Sequence, residues 1–363
     1  MDEKVAIVNY NEIIKLIWRG YLMGKIDELL TDYIRDEDLA PGISVAVIKN
    51  GNCIYKKSGG FANLENKIKI NSKTAFYLAS LSKSLTASAI MLLHEKGKLD
   101  LSDKIRKYFA DLPDYCENIK IINLVKHTSG LKDYFDSYSE NKSNINFITN
   151  TNVYDFILKE TSLNFSVGDK FQYSNTGYVL LAMLIEKVSR MSFSDFLKEN
   201  FFIPLGMKNT YVFTENKPII PNRAYGYEQI GDKYYCYDYY VLTTGDGGIY
   251  SCIDDMLIWM ESFDNEKIFT KQTIEEIFSV QKLNDGTLSK YSFGWFNIEK
   301  DNKKVVFHAG QLGGFTNIMI KLPENNLSII ILTNYFRESW QKIFKAVHDC
   351  ATEANVEYCI NKR

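Results

Sequence analysis

A serine and a lysine three residues apart have the types and the spacing that nucleophilic catalysis needs. Ser80 follows an apolar run that begins at Phe76, and Lys83 falls one turn later in a helical pattern that Gly97 closes. This spacing puts the hydroxyl and the ammonium group on one helix face, close enough to share a proton. A serine attacks poorly until a neighbouring base removes its proton, and a helix N-terminus favours the alkoxide that forms. We therefore predict that Ser80 is a nucleophile activated by Lys83.

The same pattern occurs elsewhere in the chain, so by itself it is a weak signal. Ser-x-x-Lys also begins at Ser129, Ser139, Ser279 and Ser339. The alternative for any such serine is a helix N-cap or a solvated loop residue. Ser80 differs from these four because it lies between a hydrophobic run and a strong helical pattern, with candidate partners downstream.

Tyr173 and Asn175 are the first candidate partners, two residues apart and just before an apolar helical pattern that begins at Tyr178. At such a turn both side chains can point into one cleft. The Tyr173 phenol could relay a proton between Ser80 and a leaving group. The Asn175 amide could hold both Lys83 and a substrate carbonyl. The alternative is a helix cap beside a core tyrosine.

A strand pattern that includes His308, Gly310 and Gln311 supplies the second set of partners. Gly310 lets the backbone approach a ligand closely. Amide groups there could form one half of an oxyanion hole, with the Ser80 amide as the other half. His308 could donate a hydrogen bond or relay a proton near the site, and the alternative is a partly buried strand histidine.

Composition and charge place the chain among ordinary globular proteins. Of its 363 residues, 45% are hydrophobic and 24% are charged, and the formal net charge is −2. The lack of a basic excess argues against nucleic-acid and anionic-membrane partners. No apolar run approaches the roughly 18–20 residues that a membrane helix needs. The oligomeric state is left open.

Cysteine and histidine usage indicates a reducing compartment and no metal. Six cysteines are scattered without a C-x-x-C motif, and the chain has four histidines. We expect reduced, mostly packed thiols in a cytoplasmic protein, with neither a metal nor a cofactor. The start at Met1-Asp-Glu-Lys lacks the basic segment of a signal peptide, and Met23 is an alternative start.

Strand patterns near both ends and helical patterns between them predict an α+β fold. The strand patterns fall at 43–48, 53–56, 291–298, 304–309, 316–322 and 327–332. Helical patterns cover 25–38 and 339–354 and dominate 80–285. We predict one antiparallel sheet that both ends of the chain complete, flanked on one face by the N- and C-terminal helices.

This fold predicts a discontinuous domain arrangement. An N-terminal extension (1–24) precedes a sheet domain made of 25–75 and 286–363, and a mostly helical domain (76–285) is inserted into it. The candidate site would lie in the cleft between the two domains.

The three motifs together resemble the serine β-lactamase and penicillin-binding protein superfamily, which carries S-x-x-K, Y-x-N and K-T-G motifs. The closest resemblance is to the class C β-lactamase-related branch, which includes esterases and D-aminopeptidases. Further segments with this resemblance are 124–131, 165–173, 203–207 and 245–251. The resemblance implies a β-lactamase/transpeptidase-like fold.

The resemblance also implies an acyl-serine mechanism without metal or cofactor. According to this resemblance, Ser80 attacks a carbonyl, while Lys83 and Tyr173 move protons. Asn175 orients the substrate. The backbone amides of Ser80 and Gln311 bind the oxyanion, and water then releases the acyl group.

The chain departs from the family pattern in having His308-Ala309-Gly310 where K-T-G is expected. A lysine there supplies a permanent charge for a substrate carboxylate, whereas an unperturbed histidine is mostly neutral at pH 7. Esterases and D-amino-acid peptidases of the branch commonly show such a histidine. We therefore expect a small ester, amide or peptide substrate. The alternative is a non-hydrolytic penicillin-binding or scaffold protein of the same fold.

Two aromatic features have open or structural interpretations. The tyrosine-rich segment 223–240 could wall the cleft, or it could be a solvent-edged hairpin with packed rings. Trp259 and Trp295 are expected in the core.

Overall fold

Antiparallel strands from both ends of the chain form the main sheet. The computed structural model of the protein describes residues 27–28, 39–139, 146–300 and 303–335. Within these ranges the strands are β1 (Ile43–Lys49), β2 (Asn52–Gly59), β3 (Phe61–Asn63), β4 (Ile68–Lys69), β5 (Phe76–Tyr77), β6 (Tyr211–Val212), β7 (Tyr227–Ile230), β8 (Lys233–Cys236), β9 (Ile249–Ser251), β10 (Phe296–Lys300), β11 (Lys303–Leu312), β12 (Phe315–Leu322) and β13 (Leu327–Thr333). The main sheet in this part of the chain has the order β10-β11-β12-β13-β1-β2.

The pairing of β1 with β13 closes the sheet between the two ends of the chain. The two strands are antiparallel, with Val45 opposite Ile331 and Val47 opposite Ile329. Asn50 and Gly51 form the turn between β1 and β2, as the Asn-Gly pair predicts. The predicted antiparallel sheet completed by both ends is therefore confirmed.

Both faces of the central strands are buried. On β1, Ala46 and Ile48 join the larger hydrophobic core, which extends through the helices. Val45 and Val47, on the opposite face, join a second core with isoleucines of β12 and β13. Successive strand residues point to opposite faces, so a run without polar residues is what a sheet covered on both sides requires.

Between β2 and β10 the chain forms α-helices as well as the short strands β3 to β9. The helices are α1 (Ser82–Glu95), α2 (Ile121–Val125), α3 (Tyr134–Ser139), α4 (Asn150–Lys159), α5 (Asn175–Ser189), α6 (Phe193–Leu197), α7 (Ile203–Leu205), α8 (Ile253–Glu261) and α9 (Lys271–Ile277). Every residue of α1 from Ser82 to Leu93 is buried. A helix that is buried all round is held by its neighbours on every side, and α1 is therefore a rigid support for whatever precedes it.

The third predicted strand, 291–298, is wrong in its boundaries. Residues 291–295 form a bend, and β10 begins only at Phe296. Gly294 has a φ of +80°. A Cβ there would lie 2.6 Å from the Ser84 Cα of α1, so the bend depends on glycine. Phe293 and Trp295 are buried on this bend, so the apolar residues of the segment resemble those of a strand in the sequence.

The remaining sequence predictions have mixed outcomes. The 223–240 segment contains the β7–β8 hairpin, and whether it walls a cleft stays a prediction. Trp259 and Trp295 are fully buried, as predicted. The division into sheet and helical domains stays a prediction. Of the predicted 25–38 helix, only residues 27–28 are described. The predicted 339–354 helix lies outside the described residues.

Four of the six cysteines lie in the described ranges. Cys53, Cys116, Cys236 and Cys252 are unpaired thiols there, and the first and third of them are exposed. None of the helices in the described ranges has the length and apolar character to cross a membrane.

Candidate active site

The backbone around Ser80 turns abruptly from strand to helix. β5 ends at Tyr77, residues 79–81 form a 3-10 turn that contains Ser80, and α1 follows from Ser82. Ala79 has a φ of +49°, a left-handed conformation that costs a non-glycine residue about 1 kcal/mol or more. Ser80 is partly exposed on a turn fixed between two buried elements. Ser80 thus lies one turn before Lys83, as the spacing predicts.

Strand β11 passes unusually close to this turn. A Cβ on Gly310 would lie 2.1 Å from the Leu78 carbonyl oxygen and 3.1 Å from the Ser80 nitrogen. Only glycine permits this approach. β10 pairs with β11 only as far as Phe307, so the edge of β11 beyond that residue faces the Ser80 turn instead of a strand. Gln311, next along β11, is exposed at this end.

Lys83 uses its amine to tie three separate parts of the chain together. Its Nζ lies 3.1 Å from Ser80 Oγ and donates to Asn175 Oδ1 at 2.8 Å. It also donates to the main-chain oxygen of Asp246 at 2.8 Å. Burial lowers the pKa of Lys83 to about 8, against the opposing effect of the Asp246 and Asp133 carboxylates. A substantial fraction of the amine is therefore neutral near pH 8, and a neutral amine can take a proton from Ser80.

Tyr173 also reaches Ser80. Its side chain interacts with Ser80, and its ring centroid lies 4.9 Å from the Lys83 Nζ. Burial raises the pKa of the Tyr173 phenol well above its usual value, although the contact with Ser80 opposes the shift. The phenol is therefore protonated at neutral pH, which suits a group that passes a proton on.

A carboxylate orients Asn175. Both the backbone N–H and the side-chain Nδ2 of Asn175 donate to Asp133 Oδ2, at 3.1 and 3.0 Å. These contacts turn the Asn175 Oδ1 atom towards Lys83. Burial raises the pKa of Asp133 to about 6. Asp133 has no sequence pattern of its own, and its part in the site could not be inferred from spacing.

The loop 245–248 forms the other side of the lysine environment. The Asp246 carboxylate accepts a hydrogen bond from the Tyr134 hydroxyl at 2.7 Å, which leaves its main-chain oxygen directed at Lys83. A Cβ on Gly245 would lie 2.3 Å from the Tyr178 carbonyl oxygen of α5. The sequence marked this loop only through a family resemblance, and gave Asp246 no role.

His308 lies behind the site. Its side chain is buried, with Nε2 2.9 Å from the Tyr291 hydroxyl and Nδ1 donating to the Ala309 carbonyl at 2.7 Å. The ring centroids of His308 and Tyr173 are 6.2 Å apart. Both ring nitrogens are engaged with protein groups. A direct contact of His308 with substrate therefore stays a prediction, and so do the roles of Gly310 and Gln311.

In the described ranges, no group of three or more His, Cys, Asp or Glu side chains could hold a metal ion. Four polar side chains lie close together at the Ser80 turn, those of Ser80, Lys83, Tyr173 and Asn175. Side chains of these types can support covalent acyl transfer with proton relay.

The fold and these motifs define a protein of the serine β-lactamase and penicillin-binding protein superfamily. Residues 27–349 match the family model described as Beta-lactamase, and the chain belongs to that family. The resemblance stated from the sequence, and the α+β fold that it implies, are confirmed. Serine hydrolase-type activity in general is supported with them.

Two curated relatives illustrate the similarity. The chain is 33% identical over 308 residues to Penicillin-binding protein 4* of Bacillus subtilis, covering 80% of this chain and 67% of the relative. It is 26% identical over 329 residues to Protein flp of Staphylococcus aureus, covering 86% of this chain and 64% of the relative. The chain thus spans about two-thirds of the length of these relatives.

Solved structures share the fold. The octameric penicillin-binding protein homologue from Pyrococcus abyssi is 27% identical with a TM-score of 0.74, covering 90% of this chain and 75% of that one. The D-amino acid amidase from Ochrobactrum anthropi SV3, complexed with L-phenylalanine, is 22% identical with a TM-score of 0.77, covering 91% of this chain and 99% of that one. At this lower identity the amidase shows the likeness of the fold alone.

Proposed function

We propose that the protein is a serine hydrolase that forms an acyl-Ser80 intermediate on a small ester, amide or peptide. One observation carries the proposal: a buried lysine with a pKa lowered to about 8 lies 3.1 Å from the hydroxyl of a serine at a strained turn. A lysine in that state is a base near neutral pH. The same contact would have no purpose for a serine that only caps a helix.

The contacts of Ser80, Lys83 and Tyr173 support the following mechanism. Lys83, in its neutral form, takes the Ser80 proton as Oγ attacks the substrate carbonyl carbon, and the carbonyl π electrons move onto its oxygen. The amides of Ser80 and Gln311 stabilise that oxyanion. When the tetrahedral adduct collapses, the leaving group takes a proton through Tyr173. Water activated by the same groups then releases the acid and restores the Ser80 hydroxyl.

The charges around the site favour a neutral acyl donor over one with a carboxylate. His308 occupies the family's lysine position, and it is held by Tyr291 and Ala309. The carboxylates of Asp133 and Asp246 add negative potential beside Lys83. We therefore favour esterase or D-aminopeptidase-like activity of the class C-related branch over β-lactam turnover.

A non-hydrolytic penicillin-binding or scaffold function is the second candidate. The name of the Bacillus subtilis relative, Penicillin-binding protein 4*, favours it. In such a protein Ser80 would acylate slowly and the adduct would persist.

Covalent labelling separates the two candidates. The protein is incubated with a fluorophosphonate, a fluorescent penicillin and a series of p-nitrophenyl esters, and intact mass and product release are recorded. The hydrolase predicts a fluorophosphonate adduct on Ser80, ester turnover and no lasting penicillin label. A lasting penicillin adduct without ester turnover would establish the second candidate, and no adduct from any reagent would exclude both.

A matched pair of variants assigns the adduct. Ser80→Ala should abolish labelling and turnover. Ser279 begins another Ser-x-x-Lys sequence, but its hydroxyl bonds the Glu276 carbonyl on an exposed turn. Ser279→Ala should therefore keep both. Loss of activity in Ser279→Ala, or retention in Ser80→Ala, would contradict the assignment of the nucleophile.

A further inference from the structure

His127 holds the chain on both sides of Tyr173. The N–H of Gln172 donates to the His127 carbonyl oxygen at 2.9 Å, and the N–H of Ser174 donates to the His127 Nδ1 at 3.2 Å. The His127 ring lies against the Tyr173 ring, with centroids 4.4 Å apart and planes inclined by 37°. One residue therefore fixes the backbone before and after the phenol and also packs on the phenol itself.

His127 is itself held in an uncommon conformation. Its φ is +55°, in the left-handed region that few residues other than glycine adopt, although histidine is enriched there together with asparagine and aspartate. It follows α2, and its side chain is 1% exposed. Strained backbone at a buried site persists only where the surroundings determine it strongly, and such positions cluster at functional sites.

The hydrogen bonding also fixes where the proton on the imidazole lies. Because Nδ1 accepts from Ser174, a neutral His127 carries its proton on Nε2. That Nε2 is buried and meets no hydrogen-bond partner in the described ranges. Burial, together with the charge of Lys83, lowers the pKa of His127 well below its usual value, so the ring stays neutral. A neutral ring adds no charge to the site and can act only through position.

We propose that His127 is a positioning residue that sets the Tyr173 hydroxyl against Ser80. The proposal rests on the proposed function, because it assigns His127 to the proton relay of that reaction. It requires the effect of His127 on catalysis to pass through the Tyr173 hydroxyl. The competing account is that His127 only fills space between Tyr173, Tyr178 and Tyr291, whose ring centroids lie 4.4, 5.0 and 4.5 Å away.

Two substitutions separate the contacts. His127→Asn keeps an acceptor at the Nδ1 position and tolerates a positive φ, but it removes the ring. His127→Phe keeps the ring and removes the acceptor. We expect His127→Phe to lower kcat for p-nitrophenyl acetate about tenfold or more with KM within about twofold, and His127→Asn to recover part of that loss. His94→Asn, at the end of α1, is the matched control and should leave kcat unchanged.

A double-mutant cycle with Tyr173→Phe decides the proposal. Circular dichroism and thermal melting first establish that each variant is folded, and the rate of Ser80 labelling by a fluorophosphonate is measured beside turnover. If His127 acts through the phenol, both its substitutions should change these rates less than about twofold in the Tyr173→Phe background. If His127→Phe does not fold, the His127→Asn pair carries the same comparison.

Three results would overturn the proposal. They are wild-type kcat in both His127 variants, equal losses in both backgrounds, and a rise in KM without a fall in kcat. Failure of the proposed function is a different result, since wild-type protein would then show neither ester turnover nor a Ser80 adduct, and both proposals would fall.

Discussion

The Lys83 amine lies 2.8 Å from the main-chain oxygen of Asp246, a residue 163 positions later in the chain. This contact joins the buried helix α1 to the 245–248 loop. Burial is the largest influence on the pKa of Lys83 and lowers it, against the opposing charges of Asp246 and Asp133. The pH dependence of the reaction follows from that balance.

The first prediction concerns pH. Lys83 must lose its proton before it can accept one from Ser80, and its pKa is about 8 in the folded protein. We therefore expect kcat/KM for a p-nitrophenyl ester to rise with pH through about 8, because kcat/KM reports ionisation of the free enzyme. In a Lys83→Arg variant the side chain stays charged, so kcat/KM should fall about 100-fold or more and should not rise with pH in this range. A flat wild-type profile between about pH 7 and about pH 9 would contradict this base.

The second prediction concerns Asp133. Its carboxylate accepts from both N–H groups of Asn175, and an amide in its place would offer donors as well as an acceptor. Asp133→Asn should allow the Asn175 amide to turn away from Lys83 and should lower kcat about tenfold. Asp155→Asn is the control, because Asp155 is exposed on α4. Equal activity in wild type and Asp133→Asn would exclude this orienting role.

The third prediction concerns the close approach of β11. A Gly310→Ala methyl group would lie 2.1 Å from the Leu78 carbonyl oxygen, so β11 must move away from Ser80. We expect turnover to fall about 100-fold, as the loss of one oxyanion-hole donor does, together with a lower melting temperature. Gly51→Ala is the control, since its φ of +72° imposes strain in open space. It should lose stability by about 1 kcal/mol and keep its activity.

Local spacing explains which parts of the site could be predicted from the sequence. Ser80 and Lys83 are one turn apart, and Tyr173 and Asn175 lie at the start of α5, so each pair can be recognised within its own segment of sequence. The structure brings both pairs together around the Lys83 amine. The main sheet was likewise predictable, because apolar runs of strand length occur near both ends of the chain.

The rest of the site depends on contacts between distant segments. Asp133 meets Asn175 42 residues later, and neither its type nor its neighbours predict that contact. From the sequence, His127 could be recognised only as part of the family motif at 124–131. The burial of His308 depends on which face of β11 meets Tyr291, and the bend at Gly294 sets the position of Tyr291.

The last prediction restores the family motif. His308→Lys with Ala309→Thr creates Lys-Thr-Gly beside Ser80. The lysine would carry a permanent charge in place of a ring held by Tyr291 and the Ala309 carbonyl, and the threonine hydroxyl would add a carboxylate contact. We expect the rate constant for acylation by a penicillin to rise about tenfold or more, a gain of the size that a charge-assisted hydrogen bond gives.

The control for this double substitution is His308→Gln with Ala309→Thr, which adds the hydroxyl without the charge. Acylation by the penicillin is followed by intact mass, and turnover of an uncharged p-nitrophenyl ester is measured beside it. A gain confined to the lysine variant, with no gain on the uncharged ester, would assign discrimination against carboxylates to residue 308. Equal gains in both double variants would assign it to the hydroxyl. An unchanged penicillin rate in both double variants would contradict the prediction that residue 308 limits acylation by a penicillin.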